Sequence, residues 1–154
     1  MKKVFFIDDS EAYFNIILGE LKEIGIECYP NNLEEFTSLR SEILRYFSCK
    51  KSIEQDSKKA LLSKIKMFEN SDSDVVYVVN YELGEEDIKG NNGIRICEEL
   101  LKDENRKIIL LSWASEEDDL YEISRFIQKN KNCYHISKNF NKFHKLVLGL
   151  ISNF

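Results

Sequence analysis

Val4-Phe5-Phe6-Ile7-Asp8-Asp9-Ser10, running straight into Glu11 to Ile24, decides the fold of this chain. Val4 to Ile7 is a strand-length run without a polar residue, as expected of a strand covered on both faces. It stops at two aspartates. From Glu11 onward the period changes: Tyr13, Phe14, Ile17, Leu18, Leu21 and Ile24 recur at spacings of three and four. That spacing lays an apolar stripe along a helix, with Ser10 placed to cap its start and Gly25 to end it. A buried strand passing directly into an amphipathic helix is the first half of a βαβ unit.

The unit recurs along the chain. Four more strand-length apolar runs, Ile26 to Tyr29, Val75 to Val79, Ile108 to Leu111 and Cys133 to Ile136, alternate with helical stripes in Ile94 to Leu101, Leu120 to Ile127 and Phe143 to Ile151. Such alternation predicts a three-layer α/β fold with a parallel sheet, right-handed crossovers and helices on both faces. One region exceeds the minimal spacing. Residues 33–70 have room for two helices, about Leu33 to Phe47 and Ile53 to Phe68, each with an amphipathic face. This helical insertion reads as an extra helix packed on the domain, with a partner-binding arm as the other reading. No repeat or boundary interrupts residues 1–154, which are expected to form one domain.

Composition narrows the function classes. The sequence has 43% hydrophobic residues and a single proline, which suits a chain that folds alone. Its formal charge of -5 opposes nucleic acid. The basic residues Lys50, Lys51, Lys58, Lys59, Lys64 and Lys66 are interleaved with acids and read as a solvated helix face. Cys28, Cys49, Cys97 and Cys133 lie far apart, outside any zinc-binding spacing, and are expected to be reduced and structural. The apolar run after Met1-Lys2-Lys3 is too short for a signal core, and no stretch approaches a membrane span. A cytoplasmic protein without a membrane or nucleic-acid partner is the expectation.

In an open parallel sheet the functional residues collect at the carboxyl ends of the strands. Here those positions hold Asp8 and Asp9, Asn80, Ser112 and, just past the fifth strand, Lys138. Two carboxylates, a carboxamide, a hydroxyl and an ammonium would converge on one edge. Paired carboxylates with a third oxygen suit magnesium, and the lysine and hydroxyl suit phosphoryl oxygens.

Four segments carry a family resemblance: Val4 to Ser10; Val78-Val79-Asn80-Tyr81-Glu82-Leu83; Ile109-Leu110-Leu111-Ser112-Trp113-Ala114; and His135-Ile136-Ser137-Lys138-Asn139-Phe140. In this order they resemble the signature segments of bacterial response-regulator receivers. The resemblance implies a flavodoxin-like five-stranded parallel sheet of order 2-1-3-4-5. It also implies that Asp8 and Asp9 are the metal-binding pair, with Asn80 and the Glu82 backbone completing the ligands for Mg2+. Asn80 takes the phosphoacceptor position, Ser112 and Lys138 the phosphoryl-sensing positions, and His135 that of the aromatic switch residue. Gly93 resembles the glycine that opens the helix after the third strand.

Three departures bear on function. Asn80 carries a neutral amide, whose oxygen is a poor nucleophile, so aspartyl-phosphate formation should fail. Asn139 replaces the proline that usually follows the lysine, and a cis bond there would cost about 2.5–4 kcal/mol, so a trans bond or an altered loop is expected. The loop from Gly84 to Gly93 is lengthened and charged, and reads as a solvated loop rather than a partner dock.

The reading that follows is a signal-transduction protein that is not an enzyme: a pseudo-receiver acting as a phosphorylation-independent interaction module. Its partner, a signalling or kinase-related protein or a second copy, would bind the face of the fourth strand, the fourth helix of the regular alternation and the fifth strand. Trp113, Tyr121 and Phe126 are the expected anchors there. With no DNA-binding or enzymatic segment after Phe154, output is expected to pass through that contact. The alternative is a genuine magnesium-dependent phosphoacceptor in which an aspartate has been changed to Asn80. Other classes fit less well. Asp8-Asp9-Ser10 lacks the Asp-x-Asp of haloacid-type phosphatases, and its acidic, glycine-free turn opposes anionic cofactors. No histidine lies near Ser112 in sequence, so no catalytic triad is expected.

Overall fold

The computed structural model describes residues 2–47, 50–70, 74–84 and 92–154. Its elements are β1 (Lys2–Ile7), α1 (Glu11–Glu23), β2 (Glu27–Tyr29), α2 (Leu33–Tyr46), α3 (Lys51–Phe68), β3 (Asp74–Asn80), α4 (Asn92–Leu100), β4 (Lys107–Ser112), α5 (Glu117–Lys129), β5 (Cys133–Ser137) and α6 (Phe143–Asn153). The five strands form one parallel sheet of order β2-β1-β3-β4-β5, a flavodoxin-like arrangement. Between β1 and β3 the strand order reverses, which opens a crevice at their carboxyl ends.

Two apolar layers hold the sheet. On one face Val4, Phe6, Val76 and Val78 pack against Phe14, Ile17 and Leu21 of α1 and Phe143, Val147 and Ile151 of α6. On the other, Phe5, Ile7, Tyr77, Val79, Ile108 and Leu110 meet α2 to α5. The strands are continuous apolar runs because each alternate residue enters one of these two layers. Leu146 belongs to the predicted stripe of α6 yet stands 51% exposed. Phe143, Val147 and Ile151 lie at four-residue steps facing the sheet, and Leu146 sits about 100° round the helix from Val147.

The helices between β2 and β3 are part of the core. Leu39 and Ile43 of α2 and Leu61 and Ile65 of α3 are buried in the same layer as α4. Asn32 caps α2 by accepting the Glu35 N–H at 2.8 Å. Ion pairs Lys58–Glu99 at 3.0 Å and Arg95–Glu54 at 3.2 Å tie α3 to α4. So this region is an integral extra helix, and Lys58 is committed to that contact rather than to a free basic face.

At the first turn of α1, Ser10 is the N-cap but its side chain makes no capping hydrogen bond. Instead Asp8 Oδ1 accepts the Ser10 N–H at 2.9 Å. Gly25 ends the helix with φ of +72°, a conformation glycine adopts without strain. Cys28, Cys97 and Cys133 are buried, and burial pushes the Cys28 thiol up to about 12 and the Cys133 thiol up to about 11. They are inert core thiols. Cys49 and residues 85–91 of the long loop lie outside the described residues. No helix of the described residues is long and apolar enough to cross a membrane.

Candidate functional site

The sheet delivers its polar residues to one crevice. Asp8 and Asp9 follow β1 directly, Asn80 ends β3, and Lys138 follows β5, its backbone N–H donating to the carbonyl of Ser112 at 2.7 Å. A cleft of about 240 Å³ is lined by Asp9, Ser10, Tyr13, Asn80, Glu82, Gly84, Trp113 and Lys138.

At its floor the Lys138 ammonium meets Asp8 Oδ2 at 3.2 Å, with both side chains almost wholly buried. The ammonium also lies 4.2 Å from the centre of the Tyr13 ring, whose negative face attracts it. Burial pushes the Asp8 carboxyl up to about 6, against the opposing pull of Lys138 and the Ser10 N–H. Tyr13 is a contributor that strand-end reasoning missed. It stands on the first turn of α1, facing the crevice, but its aromatic spacing reads as ordinary helix core.

Asn80 is 4% exposed, and its Nδ2 donates to the Glu82 carbonyl at 2.7 Å. That contact fixes the amide's orientation, because the reverse would set two oxygens against each other. Oδ1 is left without a hydrogen-bond partner among the described residues. Asp9 Oδ2 accepts the Gly84 N–H at 3.1 Å, and Glu82 Oε1 accepts the Trp113 N–H at 2.7 Å.

Gly93 ties α4 to this point. Its N–H donates to the Tyr81 carbonyl at 3.0 Å, and a Cβ there would fall 2.3 Å from the Asn80 carbonyl oxygen. Tyr81 itself is buried and hydrogen-bonds Asp119 at 3.0 Å and Glu122 at 3.2 Å, linking the end of β3 to α5.

Ser112 and His135 behave differently from the expectation of two separate residues. Ser112 Oγ and His135 Nε2 stand 2.7 Å apart. β4 and β5 pair with Leu110 opposite His135 and Ser112 opposite Ser137, so Ser112 and His135 are diagonal neighbours on one face. Strand parity carries this signal; sequence distance hides it. Ser112 is completely buried and His135 is partly exposed, and burial holds the imidazole below its usual value.

The residue after Lys138 also matches its reading. The Lys138–Asn139 peptide is trans, and the only cis bond among the described residues is Tyr29–Pro30. Asn139 Nδ2 donates to the Trp113 carbonyl at 3.2 Å and its N–H to Ser137 Oγ at 3.1 Å, which fastens the loop. Among the expected anchors, Trp113 and Tyr121 are 44% and 64% exposed, but Phe126 is buried in the core and cannot serve. Its i+3 relation to Ile123 places it on the sheet-facing side of α5.

These positions can be tested for magnesium on their donor set. Asp8 accepts Ser10 N–H and the Lys138 ammonium, Asp9 accepts Gly84 N–H, and the Glu82 carbonyl accepts the Asn80 amide. Asp8, Asp9 and the Glu82 carbonyl each already hold an N–H donor and an ammonium pairs with Asp8, while Asn80 Oδ1 is the ligand atom left without a hydrogen-bond partner among the described residues. Magnesium demands near-ideal octahedral oxygen geometry. As arranged, the residues do not fit it. Among the described residues no group of three or more His, Cys, Asp or Glu is placed to hold a metal.

No model of a known protein family matches the chain, and no curated protein matches it.

Proposed function

We propose that this protein is a receiver-like interaction module whose input is not phosphorylation. The observation that carries the reading is the internal closure of the crevice: the Asn80 amide donates to the Glu82 carbonyl while the Lys138 ammonium pairs with Asp8. A phosphoaccepting site needs a nucleophilic carboxylate and a bound cation to offset the incoming charge. Here the nucleophile is an amide and the cation is a side chain of the protein.

With its chemistry closed, the scaffold acts through its surface. The proposed contact is the face of β4, α5 and β5, where Trp113, Leu120, Tyr121 and Tyr134 are exposed aromatic or apolar groups. Such groups dominate interface energetics. The partner is a signalling protein or a second copy, and the net charge of -5 weighs against nucleic acid. A cytoplasmic location accords with the free, buried thiols of Cys28, Cys97 and Cys133.

The test is incubation with acetyl phosphate and magnesium, read by intact mass, on the protein and on Asn80→Asp. The expected result is no adduct on the protein as it stands. An adduct on Asn80→Asp alone would show a pocket that lacks only its acceptor and would favour a phosphoacceptor ancestry lost at one position. An adduct on the unsubstituted protein would refute the proposal.

A further inference from the structure

The crevice keeps one unmet demand. Asn80 Oδ1 is a buried acceptor with no partner among the described residues, in a side chain that lines the cleft. An unsatisfied buried acceptor carries a desolvation penalty that an arriving N–H donor would relieve. Among the described residues the charged groups around it are Asp8, Asp9 and Glu82 against Lys138, more acidic than basic. That field repels phosphate and other anions and draws a cation. A divalent metal is disfavoured by the engaged ligand oxygens. An organic ammonium needs far less: one acceptor for its N–H, nearby negative charge and an aromatic wall, which Trp113 supplies.

We propose that this cleft takes a primary ammonium, presented by a lysine side chain of the partner protein, with Asn80 Oδ1 accepting one N–H and Asp9 supplying the counter-charge. This rests on the reading of the protein as an interaction module and names the chemistry its crevice would recognise. Oδ1 is covered in this structure, so the Asn80 side chain turns toward the cleft to meet an ammonium that enters past the half-exposed Trp113. A quaternary ammonium offers the same charge but no N–H, and provides the control.

Trp113 is the only tryptophan and lines the cleft, so its fluorescence reports occupancy. The protein is titrated with methylammonium chloride, with N-acetyl-lysine methylamide and, at matched chloride, with tetramethylammonium. The Asn80 side-chain amide resonances are followed in parallel. Saturable responses to both primary ammonium compounds are expected, at about tenfold lower concentration than for tetramethylammonium, the worth of one charge-assisted hydrogen bond. Asn80→Leu should abolish that tenfold preference. If Asn80→Leu does not fold, Asp9→Asn should weaken both primary ammonium compounds. Equal responses to all three ions, or none, would overturn the proposal. A response to methylammonium but not to the lysine derivative would overturn the partner lysine as its source and assign the site to a free amine. A phosphoryl adduct on the unsubstituted protein would sink the underlying reading, whereas absent ammonium binding with no adduct sinks this inference alone.

Discussion

Replacing Lys138 by methionine tests the floor of the crevice. The substitution keeps a long apolar side chain against Tyr13 but removes the ammonium that pairs with Asp8 at 3.2 Å. Breaking a buried ion pair by deleting one partner costs about 3–5 kcal/mol, because the other charge stays buried alone. For a domain of this size that lowers the melting temperature by roughly 6–20 °C.

The pH dependence identifies the cause. The folded pKa of Asp8, at about 6, lies above the ordinary 3.8, so the folded state holds this proton more tightly. Ionising Asp8 therefore costs stability, and in the native protein that cost builds from about pH 4 to about pH 6 and is constant above it. Lys138 is one of the groups pulling the value down, so in Lys138→Met it rises further and the cost continues to build above pH 6. Urea denaturation at pH 5, 6, 7 and 8 should show the variant losing up to about 1.4 kcal/mol per pH unit relative to the native protein across the upper part of that range. The deficit should be smallest at pH 5. His135 titrates in both proteins and cancels in the difference. Parallel stability profiles would refute the assignment of Lys138 as the charge that holds Asp8 ionised.

The remaining predictions concern the frame around that pair. Gly93→Ala would place a methyl 2.3 Å from the Asn80 carbonyl oxygen, and urea melts should show a loss of about 3 kcal/mol, the upper end for overpacking; a neutral result would mean that α4 is free to shift. His135 has a folded pKa below its ordinary 6.5, so its neutral form supports the fold above that pH and its contribution declines as pH falls below it. His135→Gln, which can still hydrogen-bond Ser112, should flatten the decline in thermal stability as pH falls below 6.5, and an unchanged slope would count against burial of the imidazole. Millimolar magnesium should leave the melting temperature of the native protein unchanged and raise that of Asn80→Asp, as read by scanning calorimetry; a saturable magnesium shift in the native protein would show that the engaged oxygens give way.

Much of this was legible because the controlling signals are local. A continuous run such as Val76 to Val79 cannot leave either face in water, so it forces two helical layers, and the alternation of strands and helices sets the parallel order. Strand ends then name the polar residues, and Asp8, Asn80 and Lys138 do meet at one crevice. What was illegible depends on relations that one-dimensional spacing does not encode. The contact of Ser112 with His135 needs the register of β4 on β5, and a shift of one residue would place them on opposite faces. Phe126 and Tyr121 look equivalent as aromatics, yet only their angular positions on α5 decide that one is core and the other surface. The orientation of the Asn80 amide is set by a carbonyl two residues on, which no composition or period reveals.

The amide and the internal cation are two sides of one arrangement. An aspartate at position 80 would set a third carboxylate beside Asp8 and Asp9 and oppose the Glu82 carbonyl that the Asn80 Nδ2 now satisfies. Asp8 is already pushed up to about 6 by burial with Lys138 in contact, so the floor has no spare positive charge with which to hold another buried anion. Such a crevice would either take up a proton or recruit a metal. Asparagine removes that charge and turns one end of the side chain into a donor for the carbonyl ligand, leaving Lys138 to serve Asp8 alone. Asparagine thus offers no carboxylate nucleophile, and its N–H satisfies the Glu82 carbonyl from within the chain. What it leaves is Oδ1, an acceptor in a negatively charged cleft, and only a donor of positive charge improves both.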